Sequence, residues 1–238
     1  MSLLVFVYDF PHAKSNDGLE ALLLAGLPVV GAIAAPWMPL NTSIAAGPPQ
    51  GRPLARQLAD SHSIPWFVGP HESDRVAEVI SSTGATRGVV LGARILSHAV
   101  VHQFRQGVVN VHPGIAPANR GLDAVPWAVL NRIPQGVTVH AIGKRIDGGP
   151  VIRRRLVTNI RGAQSLAELA SATRVLEVPL LVDALTDETP PGRVDAQVGP
   201  YHSKLSNDDL HQAAVDLPEY LLAYDKLCDD WRDIEVRA

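Results

Sequence analysis

Asn110 and His112 stand two residues apart at the end of a β-branched apolar run, Gly107–His112, and Pro113 follows at once. On a strand, residues i and i+2 point to the same face, and a proline cannot continue the ladder. Both side chains are therefore expected together at an open strand end. A carboxamide beside an imidazole suits a carbonyl that is becoming a tetrahedral oxyanion. The amide N–H can donate to the negative oxygen, and a protonated imidazole can donate or transfer a proton. Asp147 precedes Gly148–Gly149–Pro150. From that turn it can approach the imidazole, hold it charged and accept a proton through water. Turn chemistry alone also accounts for an aspartate before two glycines, and a strand-end histidine often serves only packing.

The elements that must position these residues alternate. Leu3–Val7 and Val29–Ala34 read as buried strands, with a helix over Gly18–Gly26 between them, which implies a parallel sheet. Residues 36–53, rich in Pro, Gly, Ser and Thr, read as a loop. Helices are predicted over Leu54–Ser61, Asp74–Ser82, Ser97–Arg105 and Asp123–Asn131, the last with Asp123 as N-cap and Pro126 in its first turn. Strands are predicted at Pro65–Val68 and Gly88–Gly92, and Gly136–Ile142 pairs with Pro150–Val157 across the turn Lys144–Gly149. Ser165–Leu185 reads as one long helix that Pro179 kinks or splits, with a break at Pro190–Gly192. Ser206–Asp230 reads as one or two short helices. This order predicts an α/β fold: a Rossmann-like open, mostly parallel twisted sheet with helices on both faces and a short C-terminal helical appendage. The expected division is a catalytic domain over 1–200 and a helical extension over 201–238. In such sheets ligands sit outside the carboxyl ends of the strands, where Asn110, His112 and Arg94 fall.

The composition bounds the function. Hydrophobic residues make up 46% of 238, enough for a sizeable core, and aromatics only 5%, so Val, Leu, Ile and Ala must fill it. A net charge of −3 gives no general attraction to nucleic acid or an anionic membrane. The single cysteine, Cys228, excludes an intramolecular disulfide and a clustered thiolate metal site. Residues 1–9 lack a basic region and a small-residue cleavage site, and read as a first strand. No apolar run approaches the ~18–20 residues that span a bilayer. A cytoplasmic enzyme is expected, with no membrane partner. No GxGxxG follows the first strand and His62 has no helical metal-spacing partner, so neither a dinucleotide nor a metal is expected.

Three segments carry a resemblance. Asn110–Pro113 (NVHP), Gly136–His140 (GVTVH) and Ile146–Ile152 (IDGGPVI) are similar, in order and spacing, to three elements of the folate-dependent formyltransferase family. That family includes glycinamide ribonucleotide, methionyl-tRNA and sugar-nucleotide N-formyltransferases. The clear similarity covers roughly residues 85–157, with weaker similarity from 1 to about 200. It implies that Asn110 and His112 stabilise the tetrahedral intermediate and that Asp147 serves the proton transfers. It implies 10-formyltetrahydrofolate as one-carbon donor, held by Ala93, Arg94, Ile95 and Leu96 and by the turn Gly143, Lys144, Arg145 and Ile146. His140 either supports the site or is a half-buried strand histidine with a backbone partner.

The resemblance is less decisive about the amine that accepts the formyl group. Glycinamide ribonucleotide enzymes carry a Gly-rich phosphate loop after the first strand. Here that stretch is Tyr8–Asn16, with Pro11 and no glycine, and close approach to a phosphate usually needs glycine. Methionyl-tRNA enzymes share Arg120–Gly121 and Trp127–Ala128, but also carry a large basic C-terminal domain. The tail here is acidic, with Asp229, Asp230, Asp233 and Glu235, and is not expected to track a phosphate backbone. Sugar-nucleotide enzymes resemble the chain in Asn119–Arg120–Gly121, in Trp127 and in Gly199–Ser203. An amino-sugar nucleotide is therefore the expected acceptor, with Arg120, Gly121, Trp127 and His140 as substrate-side residues. Glycinamide ribonucleotide transfer and formyltetrahydrofolate hydrolysis are the alternatives.

Two further features have ordinary readings. Arg153–Arg154–Arg155 alternates across a strand and reads as a solvated or interface edge. Leu221, Leu222 and Leu227 either cover the core or form a homodimer contact.

Overall fold

A computed structural model of the chain describes residues 1–38, 51, 53–93, 95–187 and 199–234. Two compact units divide at β-strand level, Met1–Asn110 and Val111–Ala238. The expected break at Pro190–Gly192 and most of the expected loop over 36–53 lie outside the described residues.

The first unit alternates strands and helices: β1 (Leu3–Tyr8), α1 (Ala13–Leu24), β2 (Val29–Ala35), α2 (Leu54–Ser61), β3 (Trp66–Val68), α3 (Ser73–Thr83), β4 (Arg87–Val90), α4 (His98–Val101) and β5 (Val108–His112), whose last two residues belong to the second unit. The strands run parallel in the order β3-β2-β1-β4-β5. In register, Val5 faces Ala32 on one side and Val89 on the other, and Val89 faces Val109. Leu3 to Val7 are all fully buried. Five successive buried side chains need cover on both faces, as a parallel sheet provides.

Two helices depart from expectation. α1 starts at Ala13, five residues before the expected Gly18, because the His12 imidazole caps it by accepting the Ser15 N–H. α4 is a single turn rather than the expected Ser97–Arg105. Ser97 caps it through Val100 N–H. The bonds then tighten to i→i+3, Gln103 N to Val100 O and Phe104 N to Val101 O. Phe104 is drawn in against Phe6, and Gly107, at φ +70°, reverses the chain into β5.

The second unit comprises β6 (Arg120–Gly121), α5 (Ala124–Leu130), β7 (Gly136–Ala141), β8 (Val151–Leu156), α6 (Leu166–Thr186), β9 (Tyr201–His202), α7 (Asn207–Leu222), α8 (Tyr224–Asp230) and a 3₁₀ turn, Arg232–Ile234. β7 and β8 pair antiparallel, as expected. β6 and β9 form a two-residue parallel pair too short to be foreseen. Asp123 is the N-cap by position but not by chemistry: at φ +49° its carboxylate accepts the N–H of Leu205 instead of a first-turn amide. Pro179 does not split α6. The carbonyl it releases belongs to Val175, an exposed residue, where water can bind it. Tyr220 and Tyr224 tie the C-terminal helices inward, donating to the carbonyls of Ile133 and Val157. Arg153 and Arg155 pair with Asp187 and Asp183 at the end of α6. Arg154 is buried, which corrects the solvated reading for that residue, because alternation turns it to the inner face.

Candidate active site

The second unit assembles its polar cluster around the end of β5. His112 is almost fully buried, and its Nε2 lies 2.9 Å from the backbone oxygen of Asn119. A carbonyl only accepts, so this nitrogen carries the hydrogen. The chain reverses over residues 113–119 to bring that oxygen back. Thr138 of β7 holds the reversal, donating to Gly114 O at 2.7 Å and accepting Ala116 N–H at 3.0 Å. Asn119 is locked at both ends: its N–H reaches Ile115 O and its side-chain amide donates to Ala124 O, each at 2.7 Å. Gly114 is required here, since a Cβ would lie 2.6 Å from both His112 Nε2 and Asn119 O.

Asp147 arrives from the turn between β7 and β8. It sits at φ +47°, a left-handed conformation that aspartate tolerates. Gly149 allows the turn to close, because a Cβ there would lie 1.9 Å from Ala141 O. Asp147 Oδ2 lies 3.5 Å from His112 Nδ1 and accepts Gly121 N–H at 3.1 Å. Its Oδ1 lies 3.4 Å from Nε2 of His140, whose Nδ1 faces Ala141 O at 3.1 Å. One carboxylate thus serves two buried imidazoles and one backbone amide. Burial alone raises its pKa, but hydrogen bonding to His140, the charges of His112 and His140 and the Gly121 amide outweigh this and lower it to about 2. Asp147 is therefore ionised throughout the physiological range.

The remaining predicted residues are distributed as follows. Arg120 donates through Nε to Gly199 O at 2.9 Å and through Nη1 to Ile146 O at 3.0 Å, and its guanidinium lies 5.8 Å from the centre of the Tyr201 ring. Gly121, at φ +104°, packs so closely on β9 that a Cβ would meet His202 O at 2.3 Å. Trp127 lies on α5. It stacks on His202 with centroids 4.5 Å apart and donates to Ser203 O. Lys144, Arg145 and Ile146 are exposed in the turn that carries Asp147, and Gly143 is half-buried. In the first unit, Asn110 is half-buried on β5 opposite Val90. Ala93 is half-buried, Ile95 exposed and Leu96 buried, and Arg94 lies outside the described residues. Among the described residues, no group of three or more His, Cys, Asp or Glu side chains could hold a metal, and no helix is long and apolar enough to cross a membrane.

Sequence reasoning passed over Asn119, Gly114 and Thr138 as members of the cluster. Thr138 was accessible, standing two residues before His140 on the same strand and so on the same face. The Asn119 contact uses a backbone oxygen, which no side-chain pattern reports.

The chain is 32% identical over 149 residues to the methionyl-tRNA formyltransferase of Synechococcus sp. (strain JA-3-3Ab), covering 58% of this chain and 45% of that protein. It is 30% identical over 206 residues to the methionyl-tRNA formyltransferase of Halorhodospira halophila (strain DSM 244 / SL1), covering 81% and 62%. The chain spans about half the length of the curated relatives it matches. A solved phosphoribosylglycinamide formyltransferase from Anaplasma phagocytophilum shares the fold, with a TM-score of 0.60 at 19% identity over 77% of this chain and 84% of that one. The family profile described as formyl transferase matches residues 57–185, more than half of the sequence and most of the cluster around Asp147. The chain belongs to the formyl transferase family.

Proposed function

We propose that the chain transfers the formyl group of 10-formyltetrahydrofolate to a primary amine, and that the acceptor is the amino group of a nucleotide-linked 4-amino-4,6-dideoxy sugar. The observation that carries the reaction is the Asp147 carboxylate, held ionised between His112 and His140. In this reading the amine nitrogen bonds to the formyl carbon and the bond from that carbon to the folate nitrogen breaks. The amine loses a proton and the departing nitrogen gains one. Asn110 donates to the developing oxyanion and His112 supplies positive charge beside it. Because Nε2 of His112 is committed to Asn119 O, the proton passes along the edge formed by Nδ1 and Asp147. Asp147 receives it from the amine and returns it, through water, to the departing folate nitrogen, while His140 holds the second carboxylate oxygen.

The donor would bring the activated formyl group, and exposed apolar side chains among the residues assigned to it support that assignment. Ile95 and Ile146 are both exposed apolar side chains of the kind that lie against a flat heterocycle. Ala93, Arg94 and Leu96 with Gly143, Lys144 and Arg145 complete the residues assigned to it. Leu96, being buried, contributes backbone. Arg120, Gly121 and Trp127 serve the acceptor side. The N-terminus of α1 supports a sugar-nucleotide acceptor over glycinamide ribonucleotide. Its Ser15 amide is already taken by the His12 imidazole, and Asn16 accepts Ala55 N–H at 2.9 Å. This reading places the catalytic domain in residues 1–200, with 201–238 as a helical extension. It includes no metal, nucleic-acid or membrane partner, a cytoplasmic location and a homodimer, for which Val215 and Leu222 of α7 offer exposed apolar side chains.

The test is an acceptor panel with 10-formyltetrahydrofolate: dTDP- and GDP-linked 4-amino-4,6-dideoxyhexoses, glycinamide ribonucleotide, methionyl-tRNA and no acceptor. Folate release only with an amino-sugar nucleotide supports the full reading. Release with another amine overturns the acceptor assignment alone. Formate release without an amine makes the protein a hydrolase.

A further inference from the structure

His98 and His102 stand one helical turn apart, His98 opening α4 and His102 following its last residue as the C-cap. Leu96, Val100 and Phe104 are buried, so this spacing of four fixes the inner face of the turn. The intervening even positions, His98 and His102, are consequently both exposed. Their rings face each other, with centroids 5.3 Å apart and planes inclined at 34°. Nδ1 of His98 lies 3.2 Å from Nε2 of His102.

That separation has a specific chemical meaning. Imidazole nitrogens bind zinc at about 2.0–2.1 Å, which sets two ligand atoms about 2.9 Å apart at a right angle and about 3.3 Å apart in a tetrahedron. The observed spacing falls within this interval, so a cation can take both lone pairs once each ring turns from the shared hydrogen toward it. The hydrogen shared between the rings moves to an outer nitrogen by tautomerisation. Ser97 caps the turn and Val100 anchors it, so the two rings project from a fixed base. Borderline divalent metals suit paired imidazoles, and the Irving–Williams order places Cu²⁺ above Ni²⁺ and Zn²⁺. We propose that His98 and His102 form a two-histidine surface site for a divalent transition metal, its other coordination positions filled by water. The site supplies no step of formyl transfer.

The direct experiment is equilibrium dialysis of the tag-free full chain against Cu²⁺, with electron paramagnetic resonance of the complex and competition by Zn²⁺. One equivalent is expected at this site, with hyperfine structure from two nitrogen donors. His98→Gln and His102→Gln should each weaken it by at least ~10-fold, no less than loss of an outer-shell partner typically costs. The double variant should bind one equivalent less. Both side chains are exposed, so far-UV circular dichroism should show the variants folded. Stoichiometric uptake unchanged in the double variant overturns the proposal, as does no uptake by the wild-type chain.

Discussion

The backbone oxygen of Asn119 takes the Nε2 hydrogen of His112 at 2.9 Å and leaves Nδ1 as the nitrogen that faces Asp147, 3.5 Å away. A backbone contact seven residues along the chain therefore sets which edge of the central imidazole faces the carboxylate.

Gly114→Ala tests that contact. The new methyl would meet both His112 Nε2 and Asn119 O at 2.6 Å, and neither can retreat easily from a buried loop. We expect a stability loss of about 1–3 kcal/mol from overpacking, and a fall in turnover beyond what the folded fraction explains. Urea unfolding together with kcat measures both. Unchanged kcat in a destabilised variant shows that the contact is only structural.

Asp147→Asn probes the carboxylate through pH. The folded-state pKa of about 2 lies below the ordinary 3.8. Its contribution to stability is thus fully present above about pH 4 and is lost as pH falls through 2. The shift corresponds to about 2 kcal/mol. The wild-type unfolding midpoint in urea should fall more steeply between pH 4 and 2 than that of Asp147→Asn. Parallel pH profiles contradict the assignment.

His140→Asn should loosen the same carboxylate from its other side. Removing the imidazole deletes a hydrogen bond and a charge that lower the Asp147 pKa. The carboxyl ¹³C resonance of Asp147 should then titrate at higher pH than in the wild type. If it does not move, His140 is a packing residue and the Gly121 amide with His112 suffices.

Trp127→Phe separates stacking from hydrogen bonding. A phenyl ring keeps the face against His202 but loses the indole donor to Ser203 O, 2.9 Å away. A loss of about 1 kcal/mol is expected from one hydrogen bond, read by thermal or urea unfolding. Acceptor KM should rise if the ring also touches substrate and stay constant if it only packs.

Much of this arrangement was legible beforehand. The buried runs at Leu3–Val7, Val29–Ala34 and Gly107–His112 are short, β-branched and bounded by turn residues, and each became a parallel strand. The proline after β5 marked His112 at a strand end, His140 was named by resemblance, and the glycines after Asp147 announced the turn that carries it. What escaped was local chemistry with little pattern. A histidine cap extended α1 upstream, a buried phenylalanine ended α4 after one turn, and Asp123 turned its carboxylate to Leu205. The β6–β9 pair rests on two residues from segments eighty positions apart, which no periodicity reports.

The central claim is that formyl transfer depends on the pair at the end of β5. The decisive measurement is the single-turnover rate of formyl transfer from 10-formyltetrahydrofolate in wild type, Asn110→Ala and His112→Ala, with folate affinity measured in parallel. Removing one oxyanion donor typically lowers turnover by ~10²–10³-fold, so each variant should fall by at least ~10²-fold while folate binds with little change. Near-normal rates in both variants would contradict the account.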